Sequence, residues 1–168
     1  MRITELFFNE YKIGELFNSN LSEAKELLSS LDIFCGNDIN IKGLNGWVFE
    51  QTVQYCIRKE LELLKIQAKY SEQEKIHKRG ASVDLVINNI AIEIKKSGLF
   101  CQADIAKYEK YKEYAIKQGF KEYLFISGVE EAKLYRAKMQ EIIGLNNTFF
   151  LDIPNEWNRF MNRLIELL

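Results

Sequence analysis

Two carboxylates and an amine lie close together in the stretch Ser82-Val83-Asp84-Leu85-Val86-Ile87-Asn88-Asn89-Ile90-Ala91-Ile92-Glu93-Ile94-Lys95-Lys96. It reads as two short strands joined by Asn88-Asn89, a two-residue turn favoured because asparagine tolerates positive φ. That turn sets Asp84 directly opposite Glu93. Side chains alternate along a strand, so Val83, Leu85 and Ile87 share one face with Ile90, Ile92 and Ile94. The other face carries Ser82, Asp84, Val86, Ala91, Glu93 and Lys95. Two carboxylates with Cβ atoms about 5 Å apart repel each other. A cation, a shared proton or the neighbouring amine must compensate them. The simplest compensation is a divalent ion, Mg²⁺ with Mn²⁺ as the alternative, held by hard carboxylate oxygens. Lys95, two residues after Glu93, shares its face and reaches a water or a phosphate.

These residues need a sheet and covering helices. Residues 3–17 and 21–31 read as two helices, the second capped by Asn20 or Ser22. A loop rich in Gly and Asn follows from Cys35 to Gly46. Asn45 caps a long helix to about Leu64, whose apolar face takes Phe49, Val53, Cys56, Ile57 and Leu64. Residues 65–71 read as a strand with Ile66, Ala68 and Tyr70 on one face, and the hairpin comes next. After Gly98 a helix spans about 102–118 with Ile105, Tyr108, Tyr111 and Ala115. Then come a strand over Lys121–Ser127, a helix over Glu130–Ile143 and a strand over Asn147–Leu151. The last helix starts at about Pro154, which suits a first turn, and sets Trp157, Phe160, Met161, Leu164 and Leu168 on one side. The expected fold is α/β: a mixed sheet with an antiparallel three-strand start and helices on both faces. Residues 1–43 read as a helical extension and 44–168 as the α/β domain.

With 168 residues, 47% of them hydrophobic and 28% charged, the chain can bury a full core. No apolar run approaches the roughly 20 residues that a membrane span requires. Charged residues among the first 17 exclude a secretory signal. The three widely spaced cysteines, Cys35, Cys56 and Cys101, read as free thiols in a reducing cytoplasm and not as a zinc clamp. A net charge of −1 argues against broad coating of nucleic acid but is compatible with a local basic groove. The densest basic run is Lys75-Ile76-His77-Lys78-Arg79, which reads either as a solvated loop or as a phosphate holder. His77 is the single histidine, so multi-histidine metal hydrolases are excluded and a Ser-His-Asp triad is disfavoured. No glycine-rich phosphate loop occurs.

The spacing Asp84-x8-Glu93-x-Lys95 on a hairpin, with a long helix before it and another after it, resembles the PD-(D/E)XK nuclease superfamily. The resemblance covers about Leu44 to Ser127, where helix, three strands, helix and strand follow in the order of the restriction-endonuclease-like core. It implies that Asp84 and Glu93 bind metal and that Lys95 positions or activates the attacking water. Many members add a glutamate from the preceding helix. Glu50 matches it, with Glu60 as the alternative, and so joins the metal set. The resemblance also implies that Gln102, in the following helix, assists catalysis. The segment Arg79-Gly80-Ala81-Ser82-Val83-Asp84 is similar to the approach to the aspartate in archaeal junction resolvases and Mrr-like restriction nucleases. Val83 stands where the nominal proline would be. Lys75, Lys78, Arg79, Ser82 and Lys96 are the candidate nucleic-acid contacts, with Lys96 reading as either a solvent or a phosphate contact. Tyr108, Tyr111 and Tyr114 either stack on bases or pack as core and rim, and Trp47 and Trp157 read as core.

The resemblance implies a Mg²⁺-dependent DNA endonuclease: a restriction-type or defence nuclease, or a junction resolvase. Such an enzyme works as a homodimer or with a partner subunit, through the C-terminal helix or the N-terminal pair. Two alternatives are a noncatalytic nuclease-fold subunit or interaction protein, and an RNA-cleaving nuclease or toxin on the same fold.

Overall fold

The computed structural model describes residues 41–97, 99–128 and 131–168. The helices expected over 3–17 and 21–31, with the first half of the loop after them (residues 35–40, Cys35 included), lie outside the described residues, as does the side chain of Trp47. The described elements are α1 (Ile41–Leu63), β1 (Tyr70–Lys75), β2 (Ser82–Ile87), β3 (Ile90–Lys95), α2 (Gln102–Lys117), β4 (Glu122–Ser127), α3 (Lys133–Ile143), β5 (Thr148–Phe150) and α4 (Glu156–Leu167).

The five strands form one sheet in the order β1-β2-β3-β4-β5. β1, β2 and β3 run antiparallel, and β4 and β5 extend the sheet in parallel with β3. This is the mixed α/β sheet expected from the order of elements. The turn sets the register: Ile87 pairs with Ile90, Val86 with Ala91 and Leu85 with Ile92. Of the two turn residues, only Asn88 enters the left-handed region, at φ 54°. Its side-chain oxygen accepts from the Lys69 N–H at 2.9 Å, and its own N–H donates to the Lys69 carbonyl at 2.8 Å, which stitches the turn to the approach to β1.

The apolar alternation feeds two cores. Leu85, Ile87, Ile90, Ile92 and Ile94 pack with Phe49, Val53, Ile57 and Leu61 of α1 and with Trp157, Phe160 and Leu164 of α4. Val86, Ala91, Tyr123 and Phe125 pack on the other side with Ile105 and Tyr108 of α2 and with Met139 and Ile143 of α3. A sheet apolar on both faces needs cover on both faces, and the amphipathic helices supply it. Phe49 anchors α1: its ring occupies the space that a side chain at Gly128, just past β4, would need.

Several local expectations are corrected. α1 is already helical at Ile41, so Asn45 lies inside it and is no cap. The first strand is Tyr70–Lys75 rather than 65–71. Ile66 and Ala68 still pack on the α1 core, but as a lead-in without ladder pairs. α3 starts at Lys133 rather than Glu130, and β5 is trimmed to Thr148–Phe150. Pro154 precedes α4, whose cap is Asn155 in the left-handed region at φ 68°. Val83 packs with Val86 and Ala91 on the α2 side, away from Leu85 and Ile87. The physical reason lies at Asp84, where strand pairing lapses and simple alternation no longer fixes the face.

Candidate active site

The ladder between β2 and β3 ends at Leu85–Ile92, one residue short of the two acids. Asp84 and Glu93 are therefore not a ladder pair, although the turn register points each at the other. From there β3 continues on β4, with Glu93 beside Phe125 and Lys95 beside Ser127. β2 stays with β1, with Val83 beside Glu74 and Ser82 beside Lys75. The two strands part, and the Asp84 side chain fills the notch. Its Oδ2 accepts the Ile94 N–H at 2.8 Å, so a carboxylate satisfies a backbone donor that the broken ladder leaves over.

Lys95 joins what the ladder does not. Its Nζ lies 2.7 Å from Asp84 Oδ2 and 3.0 Å from Glu93 Oε1. Both acids are buried, whereas the lysine side chain keeps 26% of its exposure and so reaches solvent. α1 supplies two more groups one helical turn apart, a spacing that aligns them on one face. Glu50 shares a side-chain hydrogen bond with Asp84. Gln54 Nε2 donates to the Asp84 carbonyl at 3.4 Å. Gln73 closes the rim from β1, donating through Nε2 to Asp84 Oδ1 at 3.1 Å and to Glu50 Oε1 at 3.4 Å.

Three acids around one ammonium divide the protons unequally. Burial and the bond to Asp84 push the Glu50 carboxyl up to about 9, so at neutral pH Glu50 holds a proton. Burial also works against charge on Asp84, but the Glu50 hydrogen bond, the Lys95 ammonium and the Ile94 N–H outweigh it and hold its carboxyl below the usual range. Burial and the Asp84 charge push Glu93 up to about 7 against the pull of Lys95 and Lys107. Lys95 is partly buried, yet Glu93 and Asp84 outweigh desolvation and keep it protonated.

Among the described residues, no three His, Cys, Asp or Glu side chains are gathered closely enough to hold a metal ion as they stand. The chemistry of the acids nonetheless fits one. Carboxylate oxygens are the donors a hard divalent cation takes, and Asp84 and Glu93 already face a shared positive charge. Glu93 Oε2 is buried without a hydrogen-bond partner, and such an oxygen is left wanting a cation or a donor. Glu50, Asp84 and Glu93 are the residues that would hold the ion.

The other expected residues divide. Lys75, Lys78 and Arg79 are exposed in and beside the β1–β2 turn, at the end of the sheet where Lys95 stands. That turn is pinned to α2, because His77 stacks on Tyr114 at 4.2 Å between ring centres. Ser82 donates to Gln73 Oε1 at 3.4 Å, and Lys96 is half-buried next to Lys95. Tyr108 is buried against Phe125, and Lys107 caps the Tyr108 and Tyr111 rings. Trp157 is core, and its Nε1 donates to Glu60 Oε1 at 3.0 Å. Glu60 is thus occupied at the far end of α1, and Glu50 is the α1 acid that joins the site. Gln102 does not join it. Its Oε1 accepts from Lys138 Nζ at 2.6 Å, which ties the start of α2 to α3. Sequence reasoning missed Gln54 and Gln73. The one-turn spacing from Glu50 could have found Gln54, whereas Gln73 lay beyond the strand predicted for residues 65–71. No family model, no curated protein and no solved structure matches this chain.

Proposed function

We propose that this chain is a divalent-metal-dependent endonuclease that hydrolyses phosphodiester bonds in DNA, of the restriction, defence or junction-resolving kind. One observation carries the reading: Asp84 and Glu93 converge on Lys95 in a notch of the sheet, with Glu50 bonded to Asp84 from the covering helix. The arrangement is strained by repulsion and desolvation, and a purely structural role gives no reason for placing three acids there.

Glu50, Asp84 and Glu93 would hold Mg²⁺ or Mn²⁺. When bound, such an ion polarises a phosphoryl oxygen and acidifies a bound water. Lys95 acts as a hydrogen-bond donor, because two carboxylates keep it charged. It holds the attacking water or a non-bridging phosphate oxygen in line with the bond that breaks. Asp84, fixed by the Ile94 N–H and the Gln73 amide, contributes an oxygen whose position does not depend on solvent. The exposed Lys75, Lys78 and Arg79 give the incoming backbone a cationic approach at the same end of the sheet. Cutting both strands of a duplex calls for two such sites, which a homodimer or a partner subunit supplies.

The test is cleavage of supercoiled plasmid by the purified chain with Mg²⁺ or Mn²⁺, run beside chelator, structured RNA and Lys95→Ala. Metal-dependent nicking that Lys95→Ala loses supports the reading. Cleavage of RNA alone moves the substrate to RNA. No cleavage of either polymer at any metal concentration, by a chain shown to be folded, overturns it.

A further inference from the structure

Four residues other than glycine have left-handed backbone among the described residues: Lys65, Gln73, Asn88 and Asn155. Three have ordinary reasons. Asn88 and Asn155 are of the type that tolerates this region, at a hairpin turn and a helix cap. Lys65 ends the turn after α1, where its N–H donates to the Glu62 carbonyl. Gln73 lies inside a strand, at φ 51°, where neither turn nor cap calls for it. For a long side chain that conformation costs about 1–2 kcal/mol.

The ladder between β1 and β2 skips one position on each strand. Glu72 pairs with Leu85 and Glu74 with Val83, and the two skipped residues are Gln73 and Asp84. The left-handed residue and the central acid of the site therefore face each other across a local gap in the sheet. Gln73 spends its whole amide there. One N–H goes toward Asp84 Oδ1 and the other toward Glu50 Oε1, while its oxygen accepts from Ser82. Strain retained at such a place points to a role for the side chain that the strain delivers.

We propose that Gln73 is a positioning residue that clamps the Glu50 and Asp84 carboxyls in the relative orientation a divalent ion needs. The inference rests on the metal-dependent reading above and adds a residue that neither the motif nor its spacing includes. A carboxamide suits this task because it offers two donors to two acids without adding charge to a site where Asp84, Glu93 and Lys95 already meet. Ser82, bonded to the amide oxygen, fixes which end of the amide faces the acids.

The backbone offers a clean way to separate clamp from scaffold. Gln73→Gly removes the amide and also relieves the left-handed strain, so its effects on stability and on the ion are opposite in sign. Calorimetric titration of the full chain with Mn²⁺ and with Mg²⁺ should show about a 10-fold loss of affinity in Gln73→Gly, with a melting temperature at or above the parent's. Gln73→Glu, nearly equal in shape, loses both donors and adds an acid. It should lower the melting temperature without metal and recover most of it with Mn²⁺. In plasmid nicking, the metal concentration for half-maximal rate should rise for Gln73→Gly while the rate at saturating metal stays within a few-fold. Parental affinity in Gln73→Gly overturns the proposal, as does a loss of affinity accompanied by a comparable loss of melting temperature. A parent that binds the ion but cuts no nucleic acid removes the proposed function and leaves the affinity comparison to decide on Gln73. A parent that binds neither ion overturns both.

Discussion

Asp84 Oδ2 takes the Ile94 N–H at the point where the ladder between β2 and β3 ends. This single bond lets two adjacent strands part without orphaning a backbone donor, and it leaves the acid at the mouth of the gap. Asp84→Ala should therefore harm the fold as well as the site. The Ile94 donor loses its partner and Lys95 loses its closer carboxylate, a combined cost of about 3 kcal/mol. Asp84→Asn keeps an acceptor for Ile94 and should lose clearly less. Urea unfolding of both variants in chelator checks the ranking, and equal losses would remove the wedge role.

Lys95→Ala should remove cleavage by at least about 100-fold while the protein stays folded. With the ammonium gone from between Asp84 and Glu93, Mn²⁺ affinity should be unchanged or tighter. Single-turnover cleavage and calorimetry on the same preparation test both statements. Parental cleavage by this variant would falsify the role given to the lysine.

Two acids that hold protons more tightly when folded set the pH dependence in the absence of metal. Glu50 is pushed up to about 9 and Glu93 to about 7, both from an ordinary 4.5. Their stabilising contribution is complete below the ordinary value and is lost as pH rises through the folded values. Asp84, held low, works in the opposite sense, and its contribution disappears as pH falls below the ordinary carboxylate range. The melting temperature in chelator should thus fall between about pH 5 and pH 9 and also fall in stronger acid. Glu50→Gln should flatten the part above pH 7, and saturating Mn²⁺ should reverse the slope. A melting temperature in chelator that climbs from pH 5 to pH 9 would contradict these assignments.

Gly128→Ala tests how α1 is held over the site. The Phe49 ring lies where the new methyl would go, so the ring or the helix must shift. Overpacking of this kind costs about 1–3 kcal/mol, and the shift carries the neighbouring Glu50. Denaturant unfolding should show the loss, and metal affinity should fall with it. Phe49→Leu in the same background should restore part of both.

Gln102→Ala should leave cleavage and metal affinity at parental levels. Its amide is engaged with Lys138 on the surface between α2 and α3. The variant should change stability by less than about 0.5 kcal/mol. A drop in cleavage would return Gln102 to the site.

The sequence by itself determined what depends on neighbours along the chain. Asn88-Asn89 set the hairpin register, the alternation of Leu85, Ile87, Ile90 and Ile92 set one apolar face, and the two-residue step from Glu93 to Lys95 put acid and amine on one side. The apolar spacing of Trp157, Phe160, Met161 and Leu164 likewise marked the covering face of α4. Tertiary structure decided the rest, because the rest arises between segments far apart in the chain. Only the assembled sheet, in which β2 follows β1 and β3 follows β4 beyond the end of their own ladder, parts the strands at Asp84 and carries Val83 to the other core. Only the docking of α1, with Phe49 on Gly128, selects Glu50 over Glu60. And only the gap opposite Asp84 turns Gln73 into the left-handed region and toward the acids, since no propensity of glutamine favours that backbone.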